Sequence, residues 1–172
     1  MAKRSIPPIV NGRVALRLLE ERDLPMTRAW RNQDHVRKWF FTPDPITAEQ
    51  HRAWFDQYAR RDDDFVFIIE ELATNRAIGQ VALYHIDWNM RRAEFGRLLI
   101  GEADANGKGF ARAATALLVA HALNELGLRE VFLEVFADNV RARAIYARCG
   151  FVITARRENI VQMITQSNEG EK

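Results

Sequence analysis

Cys149 is the one cysteine in 172 residues. That excludes an internal disulfide framework, and the four histidines (His35, His51, His85, His121) stand at no metal-ligand spacing. No apolar run approaches the roughly 20 residues needed to cross a bilayer. A surplus of one charge is missing as well. Lys and Arg number 25 against 23 Asp and Glu, a formal net charge of +2, so nothing pulls the chain strongly toward nucleic acid or a membrane surface. Met1 to Pro8 carries charge with no apolar stretch behind it, unlike a secretory leader. A cytoplasmic protein is the resulting expectation. What is present is 48% hydrophobic and 28% charged residues, the composition of a globular domain able to bury a core. With no internal repeat and no linker, residues 1–172 read as a single α/β domain. Residues 1–12 are expected as a loose arm ending at Asn11-Gly12, and 166–172 as a flexible polar tail. Cys149, at a helix end, reads as a small buried hydrophobe rather than a nucleophile.

Periodicity divides the chain. Val14–Leu19 is a strand. Asp23 is placed to cap a helix over Leu24–Arg31. The aromatic stretch Val36–Phe41 is broken by Pro43 and Pro45. Thr47, with Gln50 three residues on, predicts a capping box and a helix to about Arg61. From Phe65 the period changes to two: strands are predicted over 65–70, 77–86 and 92–100. A long helix follows from Gly109 to Leu126, stopped by Gly127. Then come a strand over 131–136, a helix from Asp138 or Asn139 to about Cys149, and strands over 151–155 and 160–164.

The organising stretch runs from Leu98 to Arg112: a buried strand, a short polar loop, and the first turn of the long helix. Gly107 and Gly109 permit a tight turn with no side chain to hold a ligand away. Amides at a helix N-terminus favour an anion, and Lys108 and Arg112 add two cations. The functional reading is a cradle for a pyrophosphate; the plain alternative is a strand-to-helix loop with solubilising charge. The loop lacks the Gly-x-x-x-x-Gly-Lys-Ser/Thr pattern of a nucleoside triphosphatase.

The order of motifs decides between these readings. Asn106-Gly107-Lys108-Gly109-Phe110-Ala111 is followed by a long helix and a strand, then Asp138-Asn139-Val140-Arg141-Ala142, Ile145-Tyr146 and Cys149-Gly150-Phe151. This succession resembles the GNAT superfamily of acyl-CoA-dependent N-acetyltransferases over nearly the whole chain. Val14–Arg17 and Trp30-Arg31-Asn32 resemble its ribosomal-protein-acetyltransferase branch. The resemblance implies a mixed, mostly antiparallel sheet of about seven strands with a splayed parallel pair and flanking helices. It also implies acetyl-CoA as co-substrate and a small-molecule amine as acceptor, and it leaves a homodimer open. Asn106 departs from the Gln or Arg usual at the loop's opening: it keeps a hydrogen-bonding side chain but a shorter one, and the backbone contacts can come from any residue.

By the same resemblance, acetyl-CoA lies where the strands ending at Ile100 and Phe136 part. The amides of Gly107, Lys108, Gly109, Phe110 and Ala111 hold its pyrophosphate, and the backbone of Leu99, Ile100 and Gly101 pairs with the pantetheine arm and polarises the thioester carbonyl. Asn139, Ala142 and Tyr146 share a helix face, so Asn139 is expected to touch the cofactor and Tyr146 to protonate the departing thiolate. The alternative for Tyr146 is a packed ring with its hydroxyl in water. Glu94 is the candidate base, on a strand face shared with Gly96, Leu98 and Ile100; Glu134, His85 and a water chain are its rivals. Arg141, Arg143 and Arg148 either meet the 3'-phosphate of CoA or form a solvated helix face.

The acceptor is expected to meet the N-terminal half, around Trp30-Arg31-Asn32, His35–Phe40 and Thr47–Phe55. Together with Ala93-Glu94-Phe95-Gly96, these stretches look most like acetyltransferases of nucleotide-linked amino sugars, since aromatic rings and arginines suit a base and a phosphate. Arg91–Phe95 is also similar to spermidine acetyltransferases, but a polyamine site should gather carboxylates and this half is rich in Arg. Protein N-terminal amines, aminoglycosides and a non-catalytic CoA-binding domain are the remaining alternatives.

Overall fold

The computed structural model of the chain describes residues 2–168. Eight strands form one sheet: β1 (Ile9–Val10), β2 (Val14–Leu18), β3 (Asp64–Glu71), β4 (Arg76–Asp87), β5 (Arg92–Ile100), β6 (Glu130–Phe136), β7 (Val152–Arg157) and β8 (Ile160–Gln166). Their order is β1-β2-β3-β4-β5-β6-β8-β7. The helices are α1 (Leu24–Arg31), α2 (Asp34–Arg37), α3 (Ala48–Tyr58), α4 (Phe110–Asn124) and α5 (Val140–Arg148). None is long and apolar enough to cross a membrane.

The expected seven strands are all found, and β1 is the eighth. It belongs to the segment expected as a loose arm, which is instead fastened to the sheet. Ile9 and Val10 pair with Leu16 and Ala15, and Ile6 is buried. Arg4 forks onto Asp62 and lies 3.5 Å over the Trp88 ring. The Lys3 amine caps carbonyls of Tyr58, Arg61 and Asp64 and sits 3.7 Å over the Tyr58 ring. At the other end, Ser167 is tied to the Arg129 carbonyl (3.0 Å); residues 169–172 of the expected tail lie outside the described residues.

Two apolar clusters cover the two faces of the sheet. On one, α4 packs Phe110, Ala114 and Leu118 on Phe65, Phe67, Ile69, Leu83 and Phe95. On the other, Trp30, Val36 and Tyr58 from the α1–α3 layer cover Val66, Ile68, Ala82 and Leu99. The capping box at Thr47 forms as its spacing predicts: Gln50 N–H donates to Thr47 Oγ1 (3.1 Å) and Thr47 N–H to Gln50 Oε1 (2.9 Å). Asp23 does not cap α1. Its carboxylate accepts from the Glu20 amide and from both terminal nitrogens of the Arg17 guanidinium, because a buried acid bonds best to a cation within reach.

Every neighbouring pair of strands is antiparallel except β5 and β6. Their parallel pairing covers only Arg92, Ala93 and Glu94 against Glu130, Val131 and Phe132. Beyond Glu94 the strands part, and β5 runs six more residues with no strand on its β6 side. Strand β5 also carries a bulge. Gln80 opposes Leu99 while Ala82 opposes Gly96, so one extra residue enters, and Arg97 takes φ +52°. The bulge reverses the alternation. Ala93, Phe95, Leu98 and Ile100 pack with the α4-side cluster, whereas Leu99 turns to the other side. Glu94 and Gly96 therefore do not share a face with Leu98 and Ile100, contrary to the alternation expected from an unbroken strand.

Candidate active site

The parting of β5 and β6 opens a cleft of about 300 Å³. Leu98, Leu99 and Ile100 form one wall; Glu134, Val135, the α5 cap residue Asn139 and the α5 residues Ala142 and Tyr146 form the other. Trp39, Phe40 and Phe41 close it from the α2 side, and Asn106 and Ala111 stand at the loop end. The helix-face spacing of Asn139, Ala142 and Tyr146 thus brings all three to one surface.

The loop between β5 and α4 has the geometry of an anion site. Gly109 takes φ +82° as the residue before the helix, and no side chain caps α4. The first amides of a helix lack internal partners, so those of Phe110, Ala111 and Arg112 are left as outward donors. The Phe110 side chain itself is buried in the core and anchors the first turn. Arg13 was not singled out in the sequence, yet it braces this loop. Its Nη2 donates to the Lys108 carbonyl (2.7 Å), and its guanidinium lies 4.7 Å over the Phe110 ring. Its position before β2 gives no local signal for a partner 95 residues away. Asn106 donates from Nδ2 to the Glu102 carbonyl (3.3 Å), closing its own turn.

Gly101 departs from the expected role. Its N–H is bonded to the Ile78 carbonyl (2.8 Å), and its own carbonyl accepts from Gln33 Nε2 (3.0 Å). A Cβ at this position would stand 2.0 Å from Trp30 Cγ, so the glycine makes room for an indole rather than a ligand. The cleft edge of β5 ends at Ile100.

Tyr146 is 8% exposed, with its ring edge-on to Phe95 (5.8 Å) and Phe151 (6.0 Å). Its hydroxyl makes no hydrogen bond among the described residues, and burial pushes its ionisation well above the usual tyrosine range. The phenol keeps its proton and lines the cleft. Asn139 caps α5 by accepting from the Ala142 amide (3.3 Å).

Glu94 is not on the cleft surface. Its carboxylate, 13% exposed, pairs with His85 Nδ1 at 2.7 Å, and Tyr84, its cross-strand partner, lines the cleft in its place. Glu134 is exposed at the cleft wall. Arg141 also lines the cleft, whereas Arg143 donates to the Ala137 carbonyl (2.7 Å). Cys149 packs half-buried against the core, its thiol pushed up by burial.

Strands β5 and β6 thus part beside a helix whose first amides have no partner within the helix. The Acetyltransferase (GNAT) domain matches residues 13–152. The chain belongs to the GNAT acetyltransferase family. It is an N-acetyltransferase, with acetyl-CoA as co-substrate. As a GNAT protein it is 27% identical to the spermidine N(1)-acetyltransferase of Vibrio cholerae, over 83% of this chain and 81% of that protein. It is 32% identical to the putative ribosomal N-acetyltransferase YdaF of Bacillus subtilis, over 83% and 80%. Among solved structures, the Vibrio cholerae spermidine N-acetyltransferase in complex with CoA and spermine superimposes with a TM-score of 0.82 at 25% identity, covering 91% of this chain and 96% of that one. The expected likeness to nucleotide-amino-sugar enzymes finds no support in these relatives, whose names point to polyamine and ribosomal acceptors.

Proposed function

We propose that this GNAT enzyme acetylates a primary amine of a small polycation of the polyamine type, by direct attack of the amine on the thioester. The observation that carries the acceptor class is the state of the arginines. The Arg-rich N-terminal half suggests an anionic substrate only if those cations are free. Instead most are paired: Arg4 holds Asp62 (2.8 Å), Arg17 holds Asp23 (2.7 Å), Arg22 holds Glu20 (2.6 Å), Arg37 holds Asp34 (2.8 Å), Arg52 holds Glu21 and Asp56, and Arg61 holds Asp63 (2.8 Å), while Arg31 reaches the Thr42 carbonyl rather than a carboxylate. Three of the aromatic residues are similarly engaged, whereas Trp39, Phe40 and Phe41 line the cleft. Trp30 is 3% exposed and donates to Glu102 (2.9 Å), Trp54 stacks between His51 and Tyr58, and Phe55 packs on Tyr58. Those pairings leave few cations of this half to grip a phosphate. Glu134 offers a free carboxylate at the cleft wall, and an exposed carboxylate favours a cation. The likeness to spermidine acetyltransferases supports the same reading.

In this reading the amides of Gly109, Phe110, Ala111 and Arg112 hold the diphosphate, with Gly107 shaping the turn and Lys108 and Arg112 adding charge. The open edge of β5 through Leu99 and Ile100 offers backbone groups to the pantetheine arm, and Asn106 and Asn139 flank it. Bound acetyl-CoA supplies an activated acyl carbon. The walls orient the amine for attack, which accounts for much of the rate gain. As the new N–C bond forms and the C–S bond breaks, Tyr146 gives its proton to the leaving sulfur, and the proton shed by the acylated nitrogen restores the phenol.

A thiol-release assay with spermidine, spermine, a nucleotide-linked amino sugar, an aminoglycoside and an N-terminal peptide tests the acceptor class. Turnover highest on the polyamines supports the reading; highest turnover on the amino sugar or the peptide overturns it.

A further inference from the structure

An attacking amine must first lose a proton, since a polyamine is an ammonium near neutral pH. The carboxylate expected to take it, Glu94, stands behind the cleft wall. Tyr84 is the group that does reach the cleft. It faces Glu94 across the β4–β5 pair. Its hydroxyl occupies the space a side chain at position 96 would fill, 2.6 Å from where that Cβ would stand, so Gly96 is what admits the phenol. Above the ring, 4.1 Å from its centroid, lies the Arg97 guanidinium, held by the buried Asp64. Behind Glu94, His85 adopts φ +49° at a second bulge, which turns its ring out to solvent (side chain 64% exposed) while Nδ1 stays 2.7 Å from Glu94 Oε2.

We propose that Tyr84 takes the proton from the acceptor ammonium, with Glu94 and His85 behind it forming the proton's way out to solvent. The inference rests on the amine-acetylation reading. The balance is simple. An N–H bond of the ammonium breaks and an O–H bond forms at Tyr84 as the phenol's own proton moves to a Glu94 oxygen. The freed electron pair on nitrogen is then the nucleophile. Glu94 releases the proton at the solvent edge, and the carboxylate is ready again. Glu94 and His85 are positioning residues in the sense that neither touches substrate; His85 fixes the carboxylate. The charges facing this relay are Arg97 and Asp64 beside Tyr84, and Asp63, itself paired to Arg61, beside His85. Burial first, and then the Glu94 carboxylate, keep the resting phenol protonated, while Arg97 pulls the other way by favouring the transient negative charge.

The test compares Tyr84→Phe and Glu94→Gln with the parent enzyme across pH, on spermidine and on methoxyamine, whose nitrogen is already neutral near pH 7. Tyr84→Phe keeps the ring under Arg97, and CoA affinity within twofold of the parent confirms an intact fold. On spermidine, kcat is expected to fall about 100-fold at neutral pH and to recover as pH rises and the amine sheds its proton unaided. On methoxyamine it is expected to change little. His85→Gln is expected to move the pH profile without changing the KM for acetyl-CoA. An equal loss on both amines, a loss independent of pH, or no loss on spermidine overturns the relay. Parent turnover on spermidine tests the polyamine reading separately; if that fails, the same comparison on the amine the panel identifies still decides the role of Tyr84.

Discussion

Gly109→Ala is the sharpest probe of the diphosphate cradle. Gly109 sits at φ +82°, where an L-residue costs about 1–2 kcal/mol. The added Cβ would also come 2.9 Å from Arg13 Nη1. That contact is with the end of a flexible side chain and can be relieved, but relief moves the guanidinium off the Lys108 carbonyl it holds at 2.7 Å. The backbone penalty is relieved only by leaving the left-handed region, which re-aims the amides at the start of α4. If the binding-competent loop becomes disfavoured by about 1–2 kcal/mol, apparent CoA affinity weakens by roughly 5- to 30-fold. Calorimetric titration of CoA into parent and variant measures this. Gly107→Ala serves as the control, because φ +74° imposes similar strain while nothing lies within 4 Å of its added Cβ; it separates backbone strain from the Arg13 contact. CoA affinity within twofold of the parent for Gly109→Ala would refute the assignment of the diphosphate to these amides.

Two other outcomes are expected. Tyr146→Phe should lower kcat by about 100-fold with CoA affinity unchanged, since only the hydroxyl proton is lost from a ring that stays packed between Phe95 and Phe151; unchanged turnover in single-turnover kinetics would remove it as the acid. Burial lowers the Lys3 amine from 10.5 to about 8, outweighing the pull of Asp64, Asp62 and Asp63. Between those values the unfolded chain binds the extra proton, so stability should rise as pH goes from about 8 to 10.5. Denaturant melts of Lys3→Met should lack that rise, and an identical slope in both proteins would show that the amine is not desolvated.

The long elements were legible because their apolar periods run for many residues: β3, β4, β5 and α4 fall within two residues of their expected bounds. Strand β1 was not, since two residues after Pro7-Pro8 carry no period, and only the Ile9–Leu16 and Val10–Ala15 pairs define it. The bulges at His85 and Arg97 were hidden for a different reason. Neither is a glycine, and tertiary contacts (the Glu94 and Asp64 carboxylates) accompany their positive φ. Because one inserted residue inverts a strand's faces, the sequence alternation carried Glu94 into the cleft and left Tyr84 unnoticed. The Gly-rich loop and the Asn139–Tyr146 face were readable because glycine spacing and helical periodicity are local. Trp30 and Trp54 were ambiguous, as an aromatic stripe reads alike whether it meets a ligand or a neighbouring helix.

The single three-residue seam between Glu94 and Phe132 has a mechanical meaning. Five strands on one side and three on the other share only those backbone rungs, and past them the two halves are joined by the side chains of one common core. A pantetheine chain lying along Phe95–Ile100 would act as the missing rung, so the cargo itself would complete the ladder that the chain leaves unfinished.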